Sequence, residues 1–322
     1  MTNEGLLRRV GIKIGHYTNS EDLTGVTVFI AESGAEIGID IRGSGTGTLN
    51  TPSFDPKSAG RIVHAVILTG GSIFGLESAF GVLKYLEEHG IGNRRSGRLV
   101  PGITGAVIHD LAEGNDRRPT KENGLEAARN SSYETPIQGK VGVGTGATIG
   151  KWFKGEKRKG GFGASFKIIA KDIVVTAFVV TNAIGDVINN DASCKAEERQ
   201  ELYDNCDQEE LNRLSGLIDF SSQNTTLGVI ATNIKLNKIQ LMKVAELAHD
   251  GMARAICPVH TSLDGDIVFA LSSLDSDRIE PSLPDTVLVD LIGVAAADAL
   301  EEAIRNSVSY EISKERCDTN AS

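Results

Sequence analysis

The sequence predicts an α+β fold built from packed layers. Three observations carry that reading. Strand-like and helix-like segments mix along the chain without the strict alternation of a doubly wound sheet. Hydrophobic residues make up 40% and charged residues 24%, the balance of a globular protein. Thirty-six of the 322 residues are glycine, about 11% against a usual ~7%. The glycines sit in short clusters beside apolar runs, where strands end tightly and backbones approach closely. They have no three-residue period, which excludes collagen, and no internal repeat is visible. The length allows two domains, but one large domain also fits.

The elements follow in order. Residues 26–30 and 37–41 read as strands, the second alternating clearly, with 32–36 as the turn between them. Gly43 to Gly47 is a loop. Residues 63–68 form a buried strand that runs through Thr69-Gly70-Gly71-Ser72 into a helix over 73–89. That helix stops at Gly90, since glycine readily takes the left-handed conformation that ends helices. A short helix is expected over 123–130. Residues 140–144, 164–169 and 173–182 read as strands, the last a long apolar one ending on Asn182. Residues 186–223 are acidic and polar, and a long connection with so little core content is usually functional or mobile. A strand restarts abruptly over 225–232. Asn237 is placed to cap a helix over 238–254. Residues 267–271 form a strand, and Pro284-Asp285 opens a final apolar helix to 306. The tail from Ser307 reads as polar and frayed.

Charge and cysteine exclude several functions. The net charge is -10, with a pI near 5.2, which argues against binding a nucleic-acid backbone. The basic stretches at Arg94-Arg95 and 154–159 read as solvated loop. No run of 18 apolar residues is present, so no membrane helix is expected, and the first fifteen residues contain no apolar signal region. Cys194, Cys206, Cys257 and Cys317 are scattered without a C-x-x-C pair. Neither a disulfide framework nor a zinc site is expected, and a reducing cytoplasm fits.

Four features could carry chemistry. Gly70-Gly71-Ser72-Ile73-Phe74-Gly75 is a strand-to-helix turn like a hydrolase nucleophile elbow, but its second glycine comes one residue late. A tight turn capped by Ser72 is the plainer reading, with a serine hydrolase using Ser72 as the alternative. The G-x-G strings at 43–47 and 142–146 open no helix of a dinucleotide unit and read as loop glycines. The six histidines form no H-E-x-x-H and no i, i+4 pair. His249 and His260 lie near Asp264 and Asp266, a set that would suit several metals. Each histidine alone is more often structural, so no metal and no cofactor is expected. The fourth feature is Asn224-Thr225, a hydroxyl residue opening a buried strand after a polar segment. Attack of the Thr225 hydroxyl on the Asn224 carbonyl would give an ester, and hydrolysis would free an amine beside that hydroxyl. An α-amine titrates near 7.7–8 and suits proton transfer at neutral pH. The alternative is an ordinary polar residue leading into a strand.

Several blocks together resemble the DmpA-type aminopeptidase family (L-aminopeptidase/D-esterase), which includes β-peptidyl aminopeptidases and NylC-like nylon-oligomer hydrolases. They are Val10 to His16, Thr24 to Val28, Asp40 to Gly43, Leu68 to Leu76, Gly144 to Lys151, Asn224 to Val229, Ala248 to Ile256 and His260 to Asp266, in family order. The resemblance implies a four-layer α-β-β-α sandwich of the DmpA/ArgJ type, forming a single domain over 1–322. It implies self-cleavage between Asn224 and Thr225 into an α chain, 1–224, and a β chain, 225–322, that stay associated. Thr225 matches the nucleophile, Lys151 the lysine of the G-A-T-x-G-K block and Asn182 the oxyanion-holding asparagine. Asp264 and Asp266 match the paired aspartates of the NylC-like branch. Their plain alternative is a turn before the next strand. The implied activity is hydrolysis of amide or ester bonds in small amino-acyl or β-amino-acyl peptides or linear amide oligomers. Its alternative is an unprocessed member of the fold that only binds or scaffolds. The implied assembly is a homo-oligomer of αβ units, commonly a tetramer, with no nucleic-acid or membrane partner. The block from Val100 to Ala106 follows the family only loosely, and 186–223 is longer and more acidic, so substrate choice stays open.

Overall fold

The computed structural model describes residues 4–60, 62–115, 117–152, 157–188, 200, 209, 212, 224–275, 279–280 and 282–318. A short helix, α1 (Glu4–Val10), leads into β1 (Lys13–Asn19), β2 (Thr24–Ile41), β3 (Thr48–Leu49) and β4 (Ile62–Thr69). Then come α2 (Ser78–Glu88), β5 (Ile103–Val107), α3 (Lys121–Arg129), β6 (Gly161–Ile169) and β7 (Ile173–Asn182). The remainder is β8 (Thr225–Thr232), α4 (Lys238–Ala255), β9 (Ile267–Ser273) and α5 (Asp285–Asp318). The strands connect in the order β6-β7-β8-β9-β2-β4-β5-β3, with β1 added on β2. Among the strand pairs of this sheet in the described residues, β8–β9 and β4–β5 are parallel.

Strand alternation divides the core into layers. In β7, Ile173, Val175, Ala177 and Val179 face α4 and α5, while Val174, Phe178 and Val180 face the other way. In β4, Val66 and Leu68 join that same second cluster, while Ala65 and Ile67 face α2 and α3. One apolar core therefore lies between two halves of the sheet, and each half carries helices on its outer face. Phe29 and Phe178 meet across the middle, ring centroids 5.4 Å apart. This is the expected α-β-β-α arrangement.

β2 joins the two halves. It is 18 residues long; residues 24–30 pair with β1 and residues 35–41 with β9. The sequence suggests two strands and a turn at 32–36, but the chain continues extended. Gly34, at φ +83°, makes an irregularity in the ladder with β4 rather than a reversal. Pairing resumes at Ala35–Val63, because Ala35 and Ile37 are held in the inter-sheet core.

Three other expectations need correction. The stretch 140–144 is not a strand: Gly142–Gly146 is a 3-10 turn. Its amides at Gly142 and Val143 go to the hydroxyls of Thr18 and Thr27 instead of a strand partner. The helix after β4 starts as a 3-10 turn over Ser72–Glu77 before α2 begins, and Gly90 ends it at φ +67°. The tail from Ser307 does not fray there. α5 runs on to Asp318, and buried Ser307 bonds Thr181 at 2.8 Å. Asn237 caps α4 as expected, accepting from the amides of Ile239 and Gln240. The acidic segment 186–223 lies almost wholly outside the described residues.

Candidate active site

The site forms where the end of β7, the start of β8 and the turn before β9 meet. Thr225 opens β8 directly opposite Asn182, the last residue of β7. Leu227 and Val229 face the inter-sheet core, as do Phe178 and Val180. Period-two alternation puts Thr225 and Asn182 on that same side. Both are buried.

Asn224 extends the strand one residue upstream and pairs with Asp264 as a parallel bridge. Its amide donates to the Leu263 carbonyl at 3.3 Å, and its carbonyl accepts from the Gly265 amide at 2.7 Å. The Thr225 hydroxyl donates to that same carbonyl oxygen at 2.6 Å. The hydroxyl thus lies against the peptide unit it would attack, while a rigid backbone N–H already holds the oxygen that would gain charge.

Asn182 has one end of its amide committed. The Thr148 backbone amide can only donate, so its 3.0 Å contact identifies the Asn182 oxygen and fixes the side chain's orientation. The Nδ2 end is buried with no hydrogen-bond partner among the described residues. Lys151 follows the short strand Thr148–Ile149 and is anchored by its backbone amide on Ile184. Its Nζ lies 3.4 Å from both the backbone oxygen and Oδ1 of Asn182. Desolvation lowers the Lys151 ammonium to about 7, against the opposing pull of Glu113 and Asp264.

The paired aspartates differ. Asp264 accepts from the Ile184 amide and from the amide and hydroxyl of Thr261. Burial first, and the Asp266 charge second, raise it to about 6 despite those bonds. Asp266 accepts from the Thr226 amide at 2.7 Å and from the backbone and ring of His260 at 3.1 and 2.8 Å. A lysine lowered to about 7 and a carboxyl raised to about 6 in one region is the pattern of shifts that clusters at functional sites.

All five side chains expected from the resemblance, Thr225, Lys151, Asn182, Asp264 and Asp266, belong to this one region, with Asn224 immediately upstream of Thr225. Two groups go beyond what the sequence indicates. The Gly265 amide escapes sequence reading because a backbone donor has no residue signature. His260 reads from the sequence as a structural histidine or a metal ligand, not as a partner of Asp266. Among the described residues, no three His, Cys, Asp or Glu side chains converge to hold a metal ion.

The glycine clusters divide. The amides of Gly43 and Gly45 bond the carbonyls of Asp266 and Asp264 at 3.1 and 2.9 Å. A Cβ on Gly265 would lie 2.7 Å from the Thr225 hydroxyl. By contrast, Gly70 and Gly146 close on buried Asp110. Gly43, Gly45 and Gly265 therefore border the Thr225 region, while Gly70 and Gly146 serve another crossing. Ser72 does not cap its turn. It is the first residue of the turn, at φ +54°, and the cap position is Gly71, whose amide is taken by Asp110 at 2.6 Å. Among the described residues no histidine or carboxylate bonds the Ser72 hydroxyl, so this turn lacks the base an elbow serine needs.

Comparison with known proteins places the whole chain. The sequence model of peptidase family S58 matches residues 10–315. An uncharacterized aminopeptidase of Mycobacterium leprae is 36% identical, covering 91% of this chain and 87% of its own length. A 6-aminohexanoate-oligomer endohydrolase of Paenarthrobacter ureafaciens is 28% identical, covering 91% and 83%. A beta-aminopeptidase of Burkholderia sp. superposes with a TM-score of 0.66 at 18% identity, covering 92% of this chain and 84% of that one. The L-aminopeptidase D-Ala-esterase/amidase of Ochrobactrum anthropi, a variant of the Ntn-hydrolase fold, superposes with a TM-score of 0.65 at 20% identity, covering 92% and 83%.

Proposed function

The chain belongs to peptidase family S58, and on that premise we propose that it is a self-processing hydrolase whose nucleophile is Thr225. The observation that carries this reading is the double hold on the Asn224 carbonyl, by the Thr225 hydroxyl at 2.6 Å and the Gly265 amide at 2.7 Å.

In the first reaction, Thr225 Oγ1 attacks the Asn224 carbonyl carbon and passes its proton to neutral Lys151. The Gly265 amide stabilises the oxyanion, and the uncommitted Nδ2 of Asn182 supplies a second donor. Collapse breaks the peptide C–N bond as a proton returns to the Thr225 nitrogen. An ester remains between Asn224 and the Thr225 oxygen. Water then hydrolyses the ester, leaving a carboxylate on Asn224 and a free amine on Thr225. Asp264 and Asp266 orient Lys151 and the new ammonium by charge-assisted hydrogen bonds. In later turnovers the Thr225 hydroxyl takes the acyl group of an amide or ester substrate, with its own amine as base. The named relatives support small amino-acyl or β-amino-acyl peptides, or linear amide oligomers, as the substrate class. By family resemblance the processed αβ units assemble into a homo-oligomer, a tetramer, and the scattered cysteines fit a reducing cytoplasm; analytical ultracentrifugation of the processed protein tests the assembly.

Intact mass and N-terminal sequencing test the central claim. The expected result is two chains, 1–224 and 225–322, the second starting at Thr225, and a Thr225→Ala variant that neither cleaves nor hydrolyses substrate. A wild-type chain that stays whole after long incubation, or an active Thr225→Ala variant, would sink the assignment.

A further inference from the structure

We propose that His260 is a positioning residue of this site, acting through Asp266 on the strand that carries Thr225. The inference rests on the Thr225 reading above and adds a residue to it. Asp266 is buried to 1% exposure. One carboxylate oxygen holds the Thr226 amide at 2.7 Å, one peptide unit beyond the nucleophile. The other oxygen accepts twice from one residue, the His260 amide at 3.1 Å and ring Nδ1 at 2.8 Å. The direction of the Asp266 carboxylate, and with it the seat of the Thr226 amide, is thereby fixed by His260.

The backbone of His260 shows the constraint. It sits at φ +56°, a left-handed conformation that non-glycine residues rarely adopt. Such strain persists only where the surroundings impose it. Here that conformation accompanies the delivery of backbone N–H and ring N–H to one carboxylate oxygen. A glycine would relax the backbone but lose the ring donor.

The ring is also held from behind. His249, on α4, packs edge-on against it with centroids 4.8 Å apart. His249 Nε2 lies 3.2 Å from the Asp40 carbonyl on β2. Burial pushes His249 down to about 4, so its ring stays neutral near pH 7 and brings no charge to the Asp266–His260 pair. A neutral His249 that anchors on β2 is a wall for His260, not a rival cation.

Three substitutions separate a donor role from a merely conformational one. Asn places its amide nitrogen where imidazole Nδ1 stood; Gln places it nearer Nε2; Gly keeps only the backbone donor. Self-cleavage of the full chain is followed by intact mass, alongside the melting temperature of each variant. The expected result is that His260→Gly and His260→Gln slow cleavage by about tenfold or more, as loss of a bond to a charged group does. His260→Asn should stay within about threefold of wild type by the same reasoning, and the slow variants should melt no earlier than Asn. Cleavage by His260→Gly at the wild-type rate, or rates that simply track melting temperature, would overturn the proposal while leaving Thr225 as nucleophile. A wild-type chain that never cleaves would overturn both.

Discussion

At the scale of single residues, the site depends on groups whose protonation or size leaves little room for replacement. Lys151 titrates near 7 because burial penalises its charged form more than Glu113 and Asp264 favour it. It therefore gains the ability to accept the Thr225 proton as pH rises through about 7. Single-turnover self-cleavage should climb across that range, and Lys151→Met should slow it by about a hundredfold or more. A rate unaffected by pH between 5.5 and 8.5 would remove Lys151 as the base. Gly265 makes a second test. An added Cβ would fall 2.7 Å from the Thr225 hydroxyl and 2.9 Å from the Gly45 carbonyl. Gly265→Ala should displace the hydroxyl from the Asn224 carbonyl and abolish cleavage while the far-ultraviolet circular dichroism stays unchanged. Cleavage at the wild-type rate would show that this close packing is irrelevant. Thr225, Lys151, Asn182 and the paired aspartates are legible through the blocks that resemble the family, while residue type at a strand end or turn does not single them out. The roles of the Gly265 amide and the His260 ring depend on aim, which residue identity does not encode.

At the scale of elements, the turn between β4 and α2 illustrates how local pattern misleads. Its glycines and serine suggest an elbow or a serine cap, but the capping anion is Asp110, distant in sequence. Asp110 accepts from the Gly71 amide and the Thr24 hydroxyl at 2.6 and 2.8 Å. Burial still raises it to about 6 from an ordinary 3.8. The folded protein therefore binds more protons than the unfolded chain between those values. Stability contributed by the protonated form is present below pH 4 and declines as pH rises to about 6, by at most about 3 kcal/mol. Asp110→Asn should flatten that slope. Urea midpoints of wild type and variant across pH 4 to 7 measure it, and parallel slopes would exclude Asp110 as the source. The long strand β2 shows the opposite failure. A turn-like segment, 32–36, is overridden because burial of Ala35 and Ile37 rewards continued pairing.

At the scale of the whole molecule, topology decides what the proposed cleavage before Thr225 would do. β8 and β9 belong to the C-terminal portion, yet they lie between β7 and β2 of the N-terminal portion. Separating residues 1–224 from 225–322 would tear two ladders from the middle of the sheet and strip α4 and α5 from the outer core. The two chains should therefore elute as one species on native size exclusion after processing and separate only in denaturant. Elution of free chains from native buffer would contradict this strand order.

Periodicity and capping residues, which are local properties, carry the layered α+β class and most of the strands and helices. The five side chains of the proposed site rest instead on the motif blocks that resemble the family; the residue pattern around Thr225 alone leaves an ordinary strand start as the alternative. Only the folded arrangement shows that the Gly265 amide donates to the Asn224 carbonyl, that His260 bonds Asp266, and that no histidine or carboxylate among the described residues bonds the Ser72 hydroxyl. It also gave the glycine clusters different roles, some closing the Thr225 region and others closing on Asp110. The physical reason is that hydrogen-bond direction and desolvation depend on distant segments meeting. Asn182, Asn224 and Gly265 lie far apart in sequence, and the sheet order makes them neighbours.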